Sequence, residues 1–486
     1  MKIKIVSKVI LAVTLLTSVG CNDWLDVTPQ AQINADKLFS TPTGFESSLY
    51  GIYTSMTRSS MYGQQMTFGF MDVLAQYYKV YSNSNHNFYE AAQYNYENGK
   101  SKDAIRGIWL DSYNTIANCN ILLEYLDKKT PEFFEKNYYS IIKGEALAIR
   151  AYLHFDMLRA FAPSWKDNQT GMSVPYADSF TKKIHKQLST EEVVKRILAD
   201  LDMARGLLKD IDPVFLNQFK EMMYHYGQPL GNVPNLLDFR AYRMNYFAVT
   251  GLMARVYNYM GDKQAYIYAK EVIDAADEGC FQFATEGEVS EEAKSKDVVM
   301  KNEILFALNF PGVHQLFYQS DASSRSGYDL NDVASLFPFP DDLRKNLVGK
   351  DYGSRKTEVS CKFADIKSEN GGKVPMIRLS EMYLIAAERH YEENQGEAVK
   401  YLEKLQEKRG IAQDLTGISF DKLLKELTQE ARREFVSEGQ MFYWYKRLGL
   451  PVDRGTGSVI LTKQNFSLPL PSAEIEFGGR VEEYLK

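Results

Sequence analysis

Histidine, cysteine and long apolar runs are all scarce in this chain. Its 486 residues include 6 His and 4 Cys. No H-E-x-x-H pair occurs, which excludes a zincin-type metal helix. No G-x-S-x-G elbow and no Gly-rich loop after a strand is present, so nucleophile-elbow and phosphate-loop chemistry have no anchor. Beyond Cys21, the remaining Cys119, Cys280 and Cys361 form an odd, widely spaced set. That set is neither a disulfide framework nor a metal-ligand pattern. After the first 20 residues no apolar run approaches the roughly 20 residues needed to cross a bilayer. The formal net charge is −6, and residues 1–20 carry three Lys and no acid, so without them it is −6 − 3 = −9. An acidic chain without basic clusters argues against nucleic acid and against wide contact with anionic lipid heads.

Tyrosine, by contrast, is abundant: 32 residues, in a chain that is 13% aromatic and 45% hydrophobic. Composition of this kind is globular. Tyr offers a flat apolar face and a hydroxyl, which suits polar recognition as well as core packing.

The N-terminus has the plan of a secretory signal. Lys2, Lys4 and Lys8 precede a short apolar core, Val9 to Leu16, and Ser18, Val19 and Gly20 are small enough for a signal peptidase. Residues 1–20 are therefore expected to be a signal peptide. Cys21 then becomes the first residue of the mature chain, and two readings fit: a lipid attachment point, which is the favoured one, or an ordinary cysteine behind a plain secretory signal. Several acyl chains anchor a protein stably where one alone holds it marginally.

The rest reads as helix pairs. In "MNYFAVTGLMARVYNYM" (244–260) apolar or small residues recur every three or four positions, at Met244, Phe247, Ala248, Gly251, Leu252, Val256, Tyr259 and Met260. Gly261 can close that helix and Asp262 can open the next. Two antiparallel helices with such a turn resemble a tetratricopeptide repeat. Similar pairs are expected around 104–162 and 379–410. The fold class is thus mainly α, a TPR-like helix-pair superhelix with long irregular loops and a few short strands; "EILFALNF" (303–310) is strand-like. Residues 21–486 are expected to form a single domain. Irregular segments of about 61–103 and 286–373 are longer than a compact scaffold needs. Residues 431–449 read as one helical block.

Carboxylates are plentiful, but a glycosidase pair is defined by separation across a cleft, which sequence does not give. Glu145, Arg150, Glu381 and Glu388 lie inside helical repeats and are expected to form structural ion pairs. His154 and His390 are expected to be packed or capped. The informative stretch is "AQYYKVYSNSNHNFYEAAQYNYE" (75–97), where Tyr77, Tyr78, Tyr81, Phe88, Tyr89, Tyr94 and Tyr96 interleave with Asn83, Asn85, His86 and Asn87. Rings can cover the apolar face of a sugar while amide and imidazole groups meet its hydroxyls. Any one of these rings can instead pack its loop against the scaffold, and Tyr77 and Tyr78 can belong to a preceding helix.

Six blocks, in order, resemble the SusD/RagB family of surface nutrient-binding lipoproteins of Bacteroidota: "CNDWLDVTP", "GEALAIRAYLHFDMLRAFA", "MNYFAVTGLMARVYNYMGD", "IRLSEMYLIAAE", "EARREFVSEGQMFYWYKRLG" and "LPLPSAEI". The resemblance implies a non-enzymatic protein; no cofactor is expected, and although the family admits a metal site, this sequence shows no ligand cluster for one. It implies a palmitate-bearing lipoprotein anchored through Cys21 to the outer membrane and facing the cell exterior. Such a protein binds a glycan and hands it to a SusC-like TonB-dependent transporter. A peptide-binding RagB-like protein is the alternative, and a surface glycosidase or a pure TPR interaction protein is a further one. The family places ligand contacts in the segment before Trp109, Tyr113, Ile116 and Asn120, and in "NFPGVHQLFYQSDASSRSGYDLN" (309–331). The expected ligand-binding residues are therefore Tyr78, Tyr81, Asn83, His86, Phe88, Tyr89, Phe317, Tyr318 and Arg325, with His314, Gln319 and Tyr328 beside them.

Overall fold

The structure is a computed structural model and describes residues 30–80, 87–215, 235–290, 296–318, 328–350, 358–363 and 372–482. The chain divides into residues 1–45 and 46–486. In the first part a helix covers Gln30–Leu38, and Phe39 packs on Phe45 with ring centroids 4.8 Å apart. The second part holds the helix pairs, the strands and both aromatic segments.

Its scaffold is a series of helices in which neighbours in sequence are neighbours in space. They are α1 (Gly99–Leu126), α2 (Tyr138–Phe161), α3 (Thr190–Leu208), α4 (Tyr246–Met260), α5 (Gln264–Asp277), α6 (Leu379–Arg389) and α7 (Gln395–Glu407). Each packs on the next. The three expected pairs are therefore present, with α1 starting earlier than its apolar stripe suggested. Local chemistry sets their ends. Asn245 caps α4 by accepting from the Ala248 amide at 2.9 Å. Gly261 closes it in the left-handed region, φ 76°, and Asp262 accepts from Gln264 N at the start of α5. Helix α3, which the repeat pattern did not single out, packs closely on α2.

Helix α2 is buried on nearly every face, including Glu145, Arg150, His154, Asp156 and Arg159. A helix buried all round needs partners for its charges, and they are supplied. Glu145 pairs with Arg240 at 2.5 Å and Arg243 at 2.7 Å, and Arg150 with Asp200 at 2.7 Å. His154 accepts from the Ala177 amide through Nε2, and its Nδ1 lies 2.8 Å from the Arg150 carbonyl. Burial pushes its imidazole down to about 3, so it stays neutral. Further along, Glu381 pairs with Arg255, Glu388 with Arg447, and His390 stacks on Tyr266.

Short strands fill the connections. β1 (Met172–Pro175) pairs with β2 (Gln187–Ser189); β3 (Ile304–Asn309) pairs with β6 (Lys373–Arg378); β4 (Val348–Lys350) pairs with β5 (Glu358–Ser360); all are antiparallel. The β3 register runs from Ile304 opposite Arg378 to Asn309 opposite Lys373, and β6 feeds directly into α6. The block 431–449 is two helices, α8 (Phe420–Glu434) and α9 (Met441–Leu448), broken by a turn at 435–440. Among the described residues no helix is long and apolar enough to cross a membrane.

Candidate ligand-binding site

The two aromatic segments, about 230 residues apart in sequence, meet. Tyr78 and Leu330 form an antiparallel bridge, with Lys79 N donating to Asp329 O at 2.8 Å and Asn331 N to Tyr77 O at 2.8 Å. Leu330 N in turn donates to Glu358 O at 2.8 Å, and Asp329 bridges Val359. Residues 77–79, 329–331 and 358–360 thus form one small patch of extended chain, extended further by β4.

Beneath it lies an aromatic cluster. Phe68 packs on Phe317, Tyr328 and Phe363 at 5.3, 5.1 and 5.0 Å. Tyr328 stacks on Phe317 at 5.1 Å with 17° between planes, and meets Tyr78 at 5.3 Å and Phe88 at 6.0 Å. All six rings are buried. The hydroxyls of its two tyrosines have partners: Gln64 Nε2 donates to Tyr328 Oη at 3.0 Å, and Tyr78 Oη donates to Asp72 Oδ2 at 3.4 Å; beside them, Tyr77 Oη donates to Arg432 O at 2.7 Å. Tyr94 Oη donates to Leu74 O and Tyr96 Oη to Asn465 O.

Three of the expected ligand-binding residues lie inside this cluster. Tyr78, Phe88 and Phe317 present no open ring face; they are 3%, 8% and 0% exposed. Each buried ring contributes on the order of 1.5–3 kcal/mol to folding, which outweighs exposure in a loop that can fold back. The same holds for Tyr77, Tyr94, Tyr96 and Tyr328. Tyr89 opens a short helix, Tyr89–Ala92, and remains half-buried, as does His314. Tyr318 is the last residue of the helix Val313–Tyr318. Tyr81, Asn83, His86, Gln319 and Arg325 lie outside the described residues, as does Cys21. Residue 80, next to the patch, and residue 87 flank one of the segments that hold the first five; residue 318 and residue 328, next to the patch, flank the other.

The patch is fastened to the scaffold by charge. Five cations, Arg344, Lys362, Arg378, Arg409 and Arg433, and five carboxylates, Glu303, Asp342, Glu430, Glu434 and Glu438, are buried together. Glu434 receives Arg409 at 2.6 Å, Arg344 at 2.7 Å and Arg378 at 2.9 Å. Glu303 receives Arg409 at 2.6 Å, Glu430 receives Arg433 at 2.6 Å and Arg344 at 2.5 Å, and Glu438 receives Arg378 at 2.8 Å and Lys362. Lys362 follows β5, so the network reaches the patch directly. A void of about 20 Å³ beside the network, lined by Arg344, Lys362, Arg378, Arg433 and Glu434, is large enough for about one water. Asp72 lies outside this balance. Burial pushes its carboxyl well above the usual carboxylate range, against the pull of the Gly439 amide. The motif that carries Arg433, Glu434 and Glu438 was visible in sequence as a family block; its part as an electrostatic fastener was not.

Among the described residues no group of three or more His, Cys, Asp or Glu is placed to hold a metal. Among the described residues Cys119 is a buried free thiol.

A stack of paired helices carrying a multi-segment patch defines a class, that of helical-repeat binding scaffolds. Comparison with known proteins narrows it. Residues 23–219 match a SusD-like family model described as starch-binding associating with outer membrane, and residues 254–467 match the SusD family model. The chain belongs to the SusD/RagB family. It is similar to a SusD superfamily protein from Bacteroides thetaiotaomicron, with 21% identity, a TM-score of 0.71, and 90% of this chain and 98% of that chain covered. A putative sugar binding protein from Bacteroides vulgatus is 24% identical, with a TM-score of 0.70 and coverage of 90% and 96%. Surface glycan-binding protein A from Bacteroides uniformis is 16% identical, with a TM-score of 0.65 and coverage of 92% and 100%. At these identities the likeness is one of fold. The comparison with curated proteins finds no match.

Proposed function

We propose that the protein is a lipoprotein of the outer cell surface, anchored through Cys21, that binds a glycan and delivers it to a SusC-like TonB-dependent transporter. The observation that carries this reading is the match of two successive family models that together take in most of the chain. The names of similar structures, a sugar binding protein and a surface glycan-binding protein, point the same way. The ligand meets the protein beside the 77–79/329–331 patch, where the chain runs on into the segments that hold Tyr81, Asn83, His86, Gln319 and Arg325. The buried rings beneath keep that platform stiff, and a stiff platform spares the ligand the cost of ordering it. The protein does no bond-breaking chemistry.

Calorimetry of the mature protein against a panel of neutral oligosaccharides tests the reading. Binding of at least one, weakened about tenfold or more by Tyr81→Ala or Tyr318→Ala, is expected. Silence across the panel together with binding of an extended peptide makes it a peptide carrier instead, and turnover of any saccharide overturns the non-enzymatic reading.

A further inference from the structure

A second surface is built unlike the patch and shares no residue with it. β1 leads into a loop, 176–186, that returns as β2. Opposite stands the C-terminal turn after a short helix, Ser472–Glu476. Between them runs a groove of about 430 Å³, floored by Tyr113 of α1, Pro175 and Ala177. Its walls carry Lys183, Ile184 and His185 on one side and Phe477 and Arg480 on the other.

The groove is preformed, because the walls are tied to each other. Arg480 Nη1 donates to His185 O at 2.8 Å, and its Nε pairs with Glu474. Gln187 and Val481 exchange two hydrogen bonds, 3.0 Å from Gln187 Nε2 to Val481 O and 2.8 Å from Val481 N to Gln187 Oε1.

Two features of it are unspent. The first is apolar. Phe477 is 73% exposed and Ile184 59%, and no ring contact engages Phe477 among the described residues. The second is charge. Residues 179–190 contain Lys182, Lys183 and Lys186 and no acid. Among the described residues none of these three has a carboxylate partner, whereas Lys128, Lys143, Lys270, Lys404 and Lys463 all do. Lys182, Lys183 and Lys186 form a short basic run in a chain that is acidic as a whole. Arg480 is already matched by Glu474, so the excess positive charge stands with the lysines.

An open ring beside unmatched ammoniums fits a ligand with an apolar face and a negative rim. A pyranose bearing a carboxylate or a sulfate has both. The volume falls within the roughly 300–1,000 Å³ of small-molecule clefts. We propose that this groove binds an anionic saccharide, its sugar face on Phe477 and its carboxylate or sulfate on Lys183. The proposal rests on the reading of the protein as a saccharide binder and adds an acidic sugar class to it.

The mature protein is titrated with tetragalacturonate, with its neutral methyl ester, and with a sulfated galactan tetrasaccharide. One or both anionic probes are expected to bind at least about tenfold more tightly than the ester, and less tightly as salt rises. The carboxylate and sulfate arms tell which acid is preferred. Phe477→Ala and Lys183→Glu, both at exposed positions, are each expected to weaken the anionic probe about fivefold or more without shifting the melting temperature. Tyr81→Ala is expected to leave it unchanged. The proposal is overturned if neither anionic probe binds, or if binding ignores both groove substitutions. It is also overturned if phosphatidylglycerol vesicles are captured through Lys183 and no saccharide is. Neutral glycans that bind through Tyr81 while the groove stays silent sink this inference and leave the proposed function standing. Tetragalacturonate held by the groove, with a silent neutral panel, supports this inference and removes the patch as the place where saccharide binds.

Discussion

Glu434 shows what single residues do here. It sits at 1% exposure and receives three arginines. Burial by itself pushes its carboxyl up; Arg409, Arg378 and Arg344 together outweigh that and hold it well below the usual carboxylate range. A carboxyl depressed by folding stabilises the folded state fully above its unfolded value near 4.5, and that contribution is lost as pH falls through the folded value. Glu434→Gln leaves Arg344, Arg378 and Arg409 short of a counter-charge in a dry site. Breaking a buried ion network in this way costs about 3–5 kcal/mol. The variant is expected to unfold at clearly lower urea concentration than the parent at pH 7, and the gap is expected to narrow as pH is lowered below about 4. A gap of equal size at both pH values contradicts the account.

Elements are joined by backbone positions that side-chain periodicity does not report. The run 431–449 carries helical spacing throughout, yet the chain turns at 435–440 and restarts as α9. Gly439 makes this turn. Its φ is +70°, and a Cβ there lies 2.1 Å from the Met66 carbonyl oxygen, a backbone atom that cannot step aside. Its amide also donates to Asp72 at 2.9 Å. Gly439→Ala therefore combines a left-handed backbone with a backbone clash, and a loss of about 2–4 kcal/mol is expected in chemical denaturation. Ala at Gly417, also left-handed at φ +72° but with open space around it, is expected to cost about 1 kcal/mol. By contrast, the α4–α5 turn was readable in full, because a Gly followed by Asp between two apolar stripes leaves one local solution. β3 was readable for a similar reason: Ile304–Asn309 is short, apolar and flanked by polar residues.

At the scale of the whole molecule, contacts distant in sequence decide what each aromatic does. Tyr78 and Phe88 share their segment with Tyr89 and have the same composition around them. Two are core and one is half-buried, because Tyr328, itself stacked on Phe317, arrives from far along the chain to cover Tyr78 and Phe88. The anchoring proposed for the molecule belongs to this scale too. Labelled palmitate is expected to enter the full-length chain on expression in a host with lipoprotein processing, and to be absent from Cys21→Ala. That variant is expected in the soluble fraction rather than with membranes. Label persisting in Cys21→Ala removes the lipid anchor from the account.

The sequence by itself determined the helical-repeat fold, the helix pairs and their turns, the strand β3 and the family, because apolar spacing, capping residues and motif order are local properties. Only the tertiary structure decided which rings are buried and which charges are matched. It joined residues 77–79 to 329–331 and 358–360, gathered ten charges from the 303–438 span into one network, and set Lys183, without a carboxylate partner among the described residues, in one groove with Phe477. Burial and charge balance depend on what the rest of the chain brings alongside a residue, and no window of sequence contains that.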